Sequence, residues 1–155
     1  MSAENVELVR RNFEAIQRAI DAYWRDPRSI AKAMDEGTLW PEWEAVFDQL
    51  HPEVEWQTPF LGQTFRGRRQ FAQVWDDFLR SFRDYHPHLG GVEDLDGDRV
   101  YVLIELEGVS MDSARPMDSL LHAIFTVRDG VVVRLEEYTS REEAMAAAGE
   151  HARND

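Results

Sequence analysis

Three glutamates pose the chemical question in this chain. In the run Arg99 to Glu107, RVYVLIELE, Glu105 and Glu107 stand two residues apart, and a third acid, Glu137, lies near the end of the run Val131 to Tyr138. Side chains alternate along a strand, so Tyr101, Leu103, Glu105 and Glu107 share one face and the aliphatic row Val100, Val102, Ile104 and Leu106 takes the other. By the same alternation Glu137 falls with Val131, Val133 and Leu135 on an otherwise apolar face. An acid in that setting is paired with a base, protonated, or lining a wet pocket, because an isolated buried carboxylate is costly and shifts its pKa. If two of the three acids meet in a dry pocket, repulsion and desolvation raise one toward neutrality and make it a general acid or a water-activating base. The alternatives are pairing with arginines such as Arg66, Arg68 and Arg99, or contact with solvent.

The elements that must position these acids are legible from periodicity. Arg128-Asp129-Gly130 between two apolar runs predicts a hairpin, since glycine accepts the positive φ a tight turn needs. Asp96-Gly97-Asp98 introduces the strand that carries Glu105 and Glu107. Upstream, Val6, Val9, Phe13, Ile16, Ile20 and Tyr23 form one helical stripe that stops near Asp26-Pro27. Residues 27–41 read as an elaboration holding a short helix, Ser29 to Glu36. Pro41 to Gln49 follows as a helix, and Val54 to Thr58 as a strand with Val54, Trp56 and Thr58 on one face. Pro59 to Gly67 reads as a loop, and Arg68 to Phe82 as a helix with an aromatic stripe. His86 to Glu93 reads as an edge strand interrupted by Pro87 and Gly90-Gly91. Met111 to Pro116 reads as an exposed hairpin loop. Ser140-x-x-Glu143 is a capping box for a last helix ending at Gly149.

Composition bounds what the molecule can be. Its 155 residues suit one domain, and 43% hydrophobic content with five tryptophans excludes disorder as the main state. The net charge of −13 argues against a nucleic-acid partner, and the absence of cysteine removes disulfides, thiolate catalysis and zinc ribbons. No apolar run approaches the roughly 20 residues a membrane span requires, nor does the start carry a signal-peptide core, so a cytoplasmic protein without membrane contact is expected. His86 and His88 are the only paired nitrogen ligands in view and read as surface, His51 reads as structural, and His122 falls on the outer side. No metal and no cofactor are expected.

Helices first, then a run of antiparallel strands, then a short helix describe an α+β domain. Val54-Glu55-Trp56 after His-Pro, Phe65-Arg66-Gly67-Arg68 opening a helix, Asp96-Gly97-Asp98-Arg99-Val100, Phe125-Thr126-Val127-Arg128-Asp129-Gly130 and Glu136-Glu137-Tyr138 before a capped helix together resemble the SnoaL-like branch of the NTF2-like superfamily. The resemblance spans nearly the whole chain apart from residues 27–41. It implies a cone: a strongly curved, mostly antiparallel sheet wrapped around the N-terminal helices, a pocket in the open end, and frequently a dimer across the convex face. Limonene-epoxide hydrolases, which are similar, hold a water with residues that correspond to Trp56 and Thr58, Glu105 and Glu107, and Glu137, but their arginine is here Glu105. The general base of ketosteroid isomerases corresponds to Thr58 and their acidic oxyanion donor to Ala123, which disfavours that activity.

The candidate catalytic set is therefore Glu105, Glu107 and Glu137, and the candidate substrate-binding set is Trp56, Thr58, Phe71, Trp75, Leu103, Leu121 and Ala123. Two functions remain open. One is an enzyme that binds a small apolar molecule and uses glutamate acid–base chemistry as hydrolase, isomerase or cyclase. The other is a noncatalytic small-molecule-binding or dimerisation module. A homodimer is expected through the aliphatic row Val100, Val102, Ile104 and Leu106 with Val132, because so long an exposed row is unusual on a monomer.

Overall fold

The computed structural model describes residues 2–58, 62–112 and 116–154. In chain order the elements are α1 (Ser2–Arg25), α2 (Ile30–Glu36), α3 (Pro41–Asp48), β1 (Leu50–Thr58), β2 (Gln63–Arg66), α4 (Arg68–Arg80), β3 (Phe82–Asp96), β4 (Arg99–Ser110), β5 (Pro116–Arg128), β6 (Val131–Tyr138) and α5 (Arg141–Asn154). The strands form one curved sheet in the order β2-β1-β6-β5-β4-β3. β6 lies between β5 and β1 and pairs with β1 in parallel, while the other neighbours are antiparallel.

α2, α3, α4 and β6 stand within two residues of their expected limits, whereas β1 begins four residues before the expected Val54 and β4 runs three residues past the expected Glu107. The differences are local. Gln63 to Arg66, expected as loop, pairs with β1 as a short edge strand, the rest of that loop (59–61) lying outside the described residues. β3 is longer than the expected strand because its irregularities are absorbed as register shifts, one of them between Leu89 and Gly91. Gly90 fits that kink, since a Cβ there would press on the Leu103 side chain at 3.2 Å. Ser140 caps α5 by accepting from the Glu143 backbone N–H at 3.1 Å, but the Glu143 carboxylate turns to the Thr139 hydroxyl, and the helix runs past Gly149 to Asn154. Of the loop expected at Met111 to Pro116, Met111 and Asp112 form a turn and 113–115 lie outside the described residues.

The inner face of the sheet meets α1, α3 and α4. The α1 stripe, including Val9, Phe13, Ile16 and Ile20, is buried against it, and two α1 side chains fasten the edge strand. Gln17 Nε2 donates to the Pro87 carbonyl at 3.0 Å and Trp24 Nε1 to that of Tyr85 at 3.1 Å. From β4 the inner face receives Val100, Val102, Ile104 and Leu106, all buried in the main core. This corrects the expectation that the aliphatic row looks outward: it covers the helices, so it cannot be a dimer surface. Its two ends differ in role, because only Ile104 and Leu106 reach the cavity described below.

The outer face carries Tyr101, Leu103, Glu105 and Glu107. Part of it is covered by α5, where Tyr101, Ile124, Ala144 and Ala148 make a small second core against which Leu103 packs. Tyr101 and His122 are joined there at 2.7 Å, so His122 stands on the outer side as expected.

A bulge in β6 sets the face of the third acid. Thr126 pairs with Arg134 but Val127 pairs with Val132, which leaves Val133 as the extra residue. Alternation therefore slips once: Val132 points inward, and after the bulge so do Leu135 and Glu137, whereas Val131 and Val133 line a depression on the outer side.

Candidate functional site

Between the inner face of the sheet and helices α1 and α4 lies a cavity of about 250 Å³. One wall is a continuous aromatic arc. Phe71 contacts Trp56 with ring centroids 4.6 Å apart, Trp56 contacts Trp75 at 5.7 Å, Trp75 contacts Phe78 at 5.9 Å and Phe78 contacts Tyr85 at 4.9 Å. The arc arises from the helical spacing of Phe71, Trp75 and Phe78 on α4, which brings the three rings to one side, with Trp56 of β1 set between Phe71 and Trp75 and Tyr85 of β3 at the far end. The rest of the lining is mostly aliphatic, with Ile16 from α1, Ile104 and Leu106 from β4, Leu121 from β5 and Leu135 from β6, joined by Phe13 and Phe125.

Glu137 is the acid inside. It is 9% exposed. Its Oε1 accepts a hydrogen bond from Trp56 Nε1 at 2.8 Å, and the Thr58 side chain also hydrogen-bonds the carboxyl. The pairing of β1 beside β6 produces this contact, because Trp56 and Thr58 are inward residues of the strand next to Glu137. Burial pushes the Glu137 carboxyl up to about 7, with the Trp56 and Thr58 hydrogen bonds pulling the other way. Desolvation wins because, among the described residues, no lysine, arginine or histidine lines the cavity. Tyr85 is raised as well, first by burial and then by the Glu137 charge, so its phenol keeps its proton at neutral pH. By contrast with Trp56, the buried indole N–H of Trp75 meets no acceptor, so that residue serves the wall with its ring.

The residues expected to form the site divide cleanly. Glu137, Trp56, Thr58, Phe71, Trp75 and Leu121 line the cavity. Glu105, Glu107 and Leu103 do not, because β4 turns its other face inward. Glu105 and Glu107 are exposed on the outer side, where Glu107 meets His88 at 3.0 Å. Ala123 is buried opposite Glu137 in the β5–β6 register, yet its methyl group does not reach the cavity. Periodicity on α4 already marked Phe78. Tyr85, Pro87, Ile104, Leu106, Phe125 and Leu135 join the wall from the strands, and their assignment needs the strand faces.

The arginines named as partners for the acids are engaged elsewhere. Arg68 holds the Leu50 carbonyl, Arg66 pairs with Glu55, and Arg99 donates to the Ala148 carbonyl at 2.8 Å. A larger depression of about 640 Å³ lies on the outer side of β1, β6 and β5, but it is open and its charges answer one another: Arg134 meets Glu55 at 3.3 Å and Arg128 meets Asp98 at 2.7 Å. Among the described residues no group of three or more His, Asp or Glu is arranged to hold a metal. His86 instead contacts Asp84 at 2.6 Å. None of the helices is long and apolar enough to cross a membrane among the described residues.

A curved six-stranded sheet closed over helices, with one carboxyl buried in the hollow, is the architecture of an NTF2-like α+β cone. Residues 28–135 match the SnoaL-like domain, and the chain belongs to that family. Among solved structures it is similar to a candidate SnoaL-like polyketide cyclase from Jannaschia sp. CCS1, at 21% identity over 95% of this chain and 92% of that one, with a TM-score of 0.62. An NTF2-like protein from Anabaena variabilis ATCC 29413 gives 14% identity over 90% and 92% of the two chains, with a TM-score of 0.62. TerC, co-crystallised with polyporic acid, gives 21% identity over 87% and 95%, with a TM-score of 0.58. At these identities the likeness is one of fold. No curated protein matches the chain in sequence.

Proposed function

We propose that this SnoaL-like chain is a small enzyme that encloses one compact apolar molecule and moves a proton on it with Glu137, as an isomerase or cyclase does. The observation that carries this reading is the Glu137 carboxyl itself, buried in an apolar cavity, oriented by Trp56 and Thr58, and brought near neutrality by desolvation. A group titrating near the working pH is an efficient proton carrier, since it is present in both forms and exchanges without a large uphill step. The cavity lies below the roughly 300–1,000 Å³ of sites for drug-sized ligands, which favours a compact substrate.

In the proposed step the ionised carboxylate takes a hydrogen from a carbon next to a carbonyl and returns it to the same carbon or a neighbour. The Trp56 N–H and Thr58 steady the carboxylate as it changes charge, and the apolar walls exclude competing water. Tyr85, neutral throughout, is the donor available for charge that develops on a substrate oxygen. Hydrolysis receives less support, because among the described residues no cation lines the cavity and its other acid, Asp77, is exposed and paired with Arg80.

Deuterium exchange into small cyclic ketones, followed by NMR, tests the reading without knowledge of the natural substrate. Wild-type protein should accelerate exchange next to the carbonyl and Glu137→Gln should not. If wild type gives no exchange while native mass spectrometry of freshly purified protein shows a bound apolar metabolite, the chain is a noncatalytic binding module.

A further inference from the structure

The cavity holds a carboxyl whose hydrogen bonds favour negative charge, and among the described residues no positive charge lines the cavity to meet it. An indole N–H can only donate, so the Glu137 oxygen that faces Trp56 must act as an acceptor. With the Thr58 contact added, the local geometry favours the anion, and only the dry surroundings oppose it. Among the described residues, Asp76 takes backbone N–H groups, Glu55 takes two arginines and the buried Glu136 takes the Tyr138 hydroxyl. Glu137 has two neutral donors and faces a largely apolar cavity.

The shape of that space is the second observation. The arc Phe71, Trp56, Trp75, Phe78 and Tyr85 begins beside the carboxyl and continues around one side of the cavity. The faces of aromatic rings carry the negative end of a quadrupole, and a cation lying against several of them is stabilised most when water is excluded. Aliphatic side chains make up much of the rest of the lining and accept hydrocarbon. A buried carboxylate, a run of aromatic rings and a set of alkyl groups lining the same cavity recognise a charged nitrogen that carries an apolar body. The chain's overall charge of −13 acts in the same direction by drawing cations toward it.

We propose that the preferred ligand of this cavity is a compact apolar amine, bound as its ammonium cation between the Glu137 carboxylate and the aromatic arc. This rests on the reading that the cavity is a ligand site. A neutral amine entering the protonated form takes the Glu137 proton: the O–H bond breaks, an N–H bond forms on the nitrogen lone pair, and the ammonium and carboxylate remain as a pair. A ligand already protonated binds the ionised form directly.

The decisive probe is benzyldimethylamine against isobutylbenzene, its carbon isostere, by calorimetry on wild type and on Glu137→Gln. The amine should bind wild type at least ten times more tightly than the hydrocarbon, and Glu137→Gln should erase that advantage while still binding isobutylbenzene, which also reports that the variant is folded. If isobutylbenzene binds wild type as well as the amine does, or if the amine's advantage survives in Glu137→Gln, Glu137 is not a countercharge and the proposal fails. The cavity remains a ligand site in either of those cases. If neither probe binds wild type, both this proposal and the reading of the cavity as a ligand site fall.

Discussion

Trp56 and Glu137, 81 positions apart in the chain, meet at 2.8 Å across the one parallel pairing of the sheet. The contact ties the first long strand to the last and fixes which way the buried acid points. It also ties the acid–base character of the cavity to the fold, since an indole within the aromatic arc steadies the carboxylate.

The pH dependence of stability follows from that burial. The folded carboxyl titrates at about 7 and the ordinary value is 4.5, so between these values the folded state holds a proton that the unfolded chain has released. Stability contributed at this site is therefore greatest below about pH 4.5 and falls as pH rises toward 7. The limit is about 3 kcal/mol at 1.36 kcal/mol per unit. Glu137→Gln removes the titration, so its melting temperature should exceed that of wild type more at pH 8 than at pH 5. An equal difference at the two pH values would show that the carboxyl is not held up by burial.

Trp56→Phe should move the same group further. The indole hydrogen bond favours the anion, so its loss raises the Glu137 titration midpoint above that of wild type. The variant should lose about 1–3 kcal/mol, because a buried acceptor is left with one partner fewer. Carbon-13 NMR of the labelled glutamate carboxyl measures the midpoint directly, and an unchanged or lowered midpoint would contradict the assigned role. Ligand-induced tryptophan quenching should also weaken in Trp56→Phe, since Trp56 lies on the cavity wall.

How far the sequence could be read depended on the contrast between faces. Helical stripes with charged opposite sides and the Asp129-Gly130 turn were legible because one assignment was clearly better than its mirror. Glu137 shares its face with Leu135 as expected but not with Val131 and Val133, which the bulge turns outward. On β4 the contrast fails, since Tyr101 and Leu103 are themselves apolar and α5 covers them. A strand covered on both faces carries no sign of which side meets the helices. Tyr85 and Pro87 were hidden for another reason: β3 places prolines, glycines and register shifts where alternation would be sought. The Val133 bulge likewise leaves no mark in a run of three valines.

The corrected face of β4 predicts opposite outcomes for adjacent residues. Ile104→Asp places a charge against the cavity wall and the main core, and should cost on the order of 3–5 kcal/mol, a large share of a domain's stability. Glu105→Gln and Glu107→Gln alter exposed side chains and should stay within about 0.5 kcal/mol of wild type, with ligand binding unchanged. Denaturant melts and calorimetry would decide. Loss of ligand binding in either glutamine variant, with Ile104→Asp remaining stable, would return the cavity to the other face.

Asp76 joins the elaboration before α3 to the helix that carries the aromatic arc. From α4 its carboxylate accepts from Ser29 Oγ at 2.8 Å, Ile30 N at 2.6 Å and Ala31 N at 3.0 Å, which satisfies the start of α2. Ser29 in turn accepts from Lys32 N at 3.1 Å. Removing the carboxylate leaves buried donors without an acceptor, so Asp76→Ala should cost on the order of 3 kcal/mol. The loss should appear first as local opening of α2, with faster tryptic cleavage at Arg28 and Lys32, both exposed in the fold. The neighbouring Asp77 provides the contrast: it is exposed and paired with Arg80 at 2.6 Å, and Asp77→Ala should cost no more than about 1 kcal/mol. Equal protease resistance in wild type and Asp76→Ala would mean that α2 is held by its apolar contacts alone.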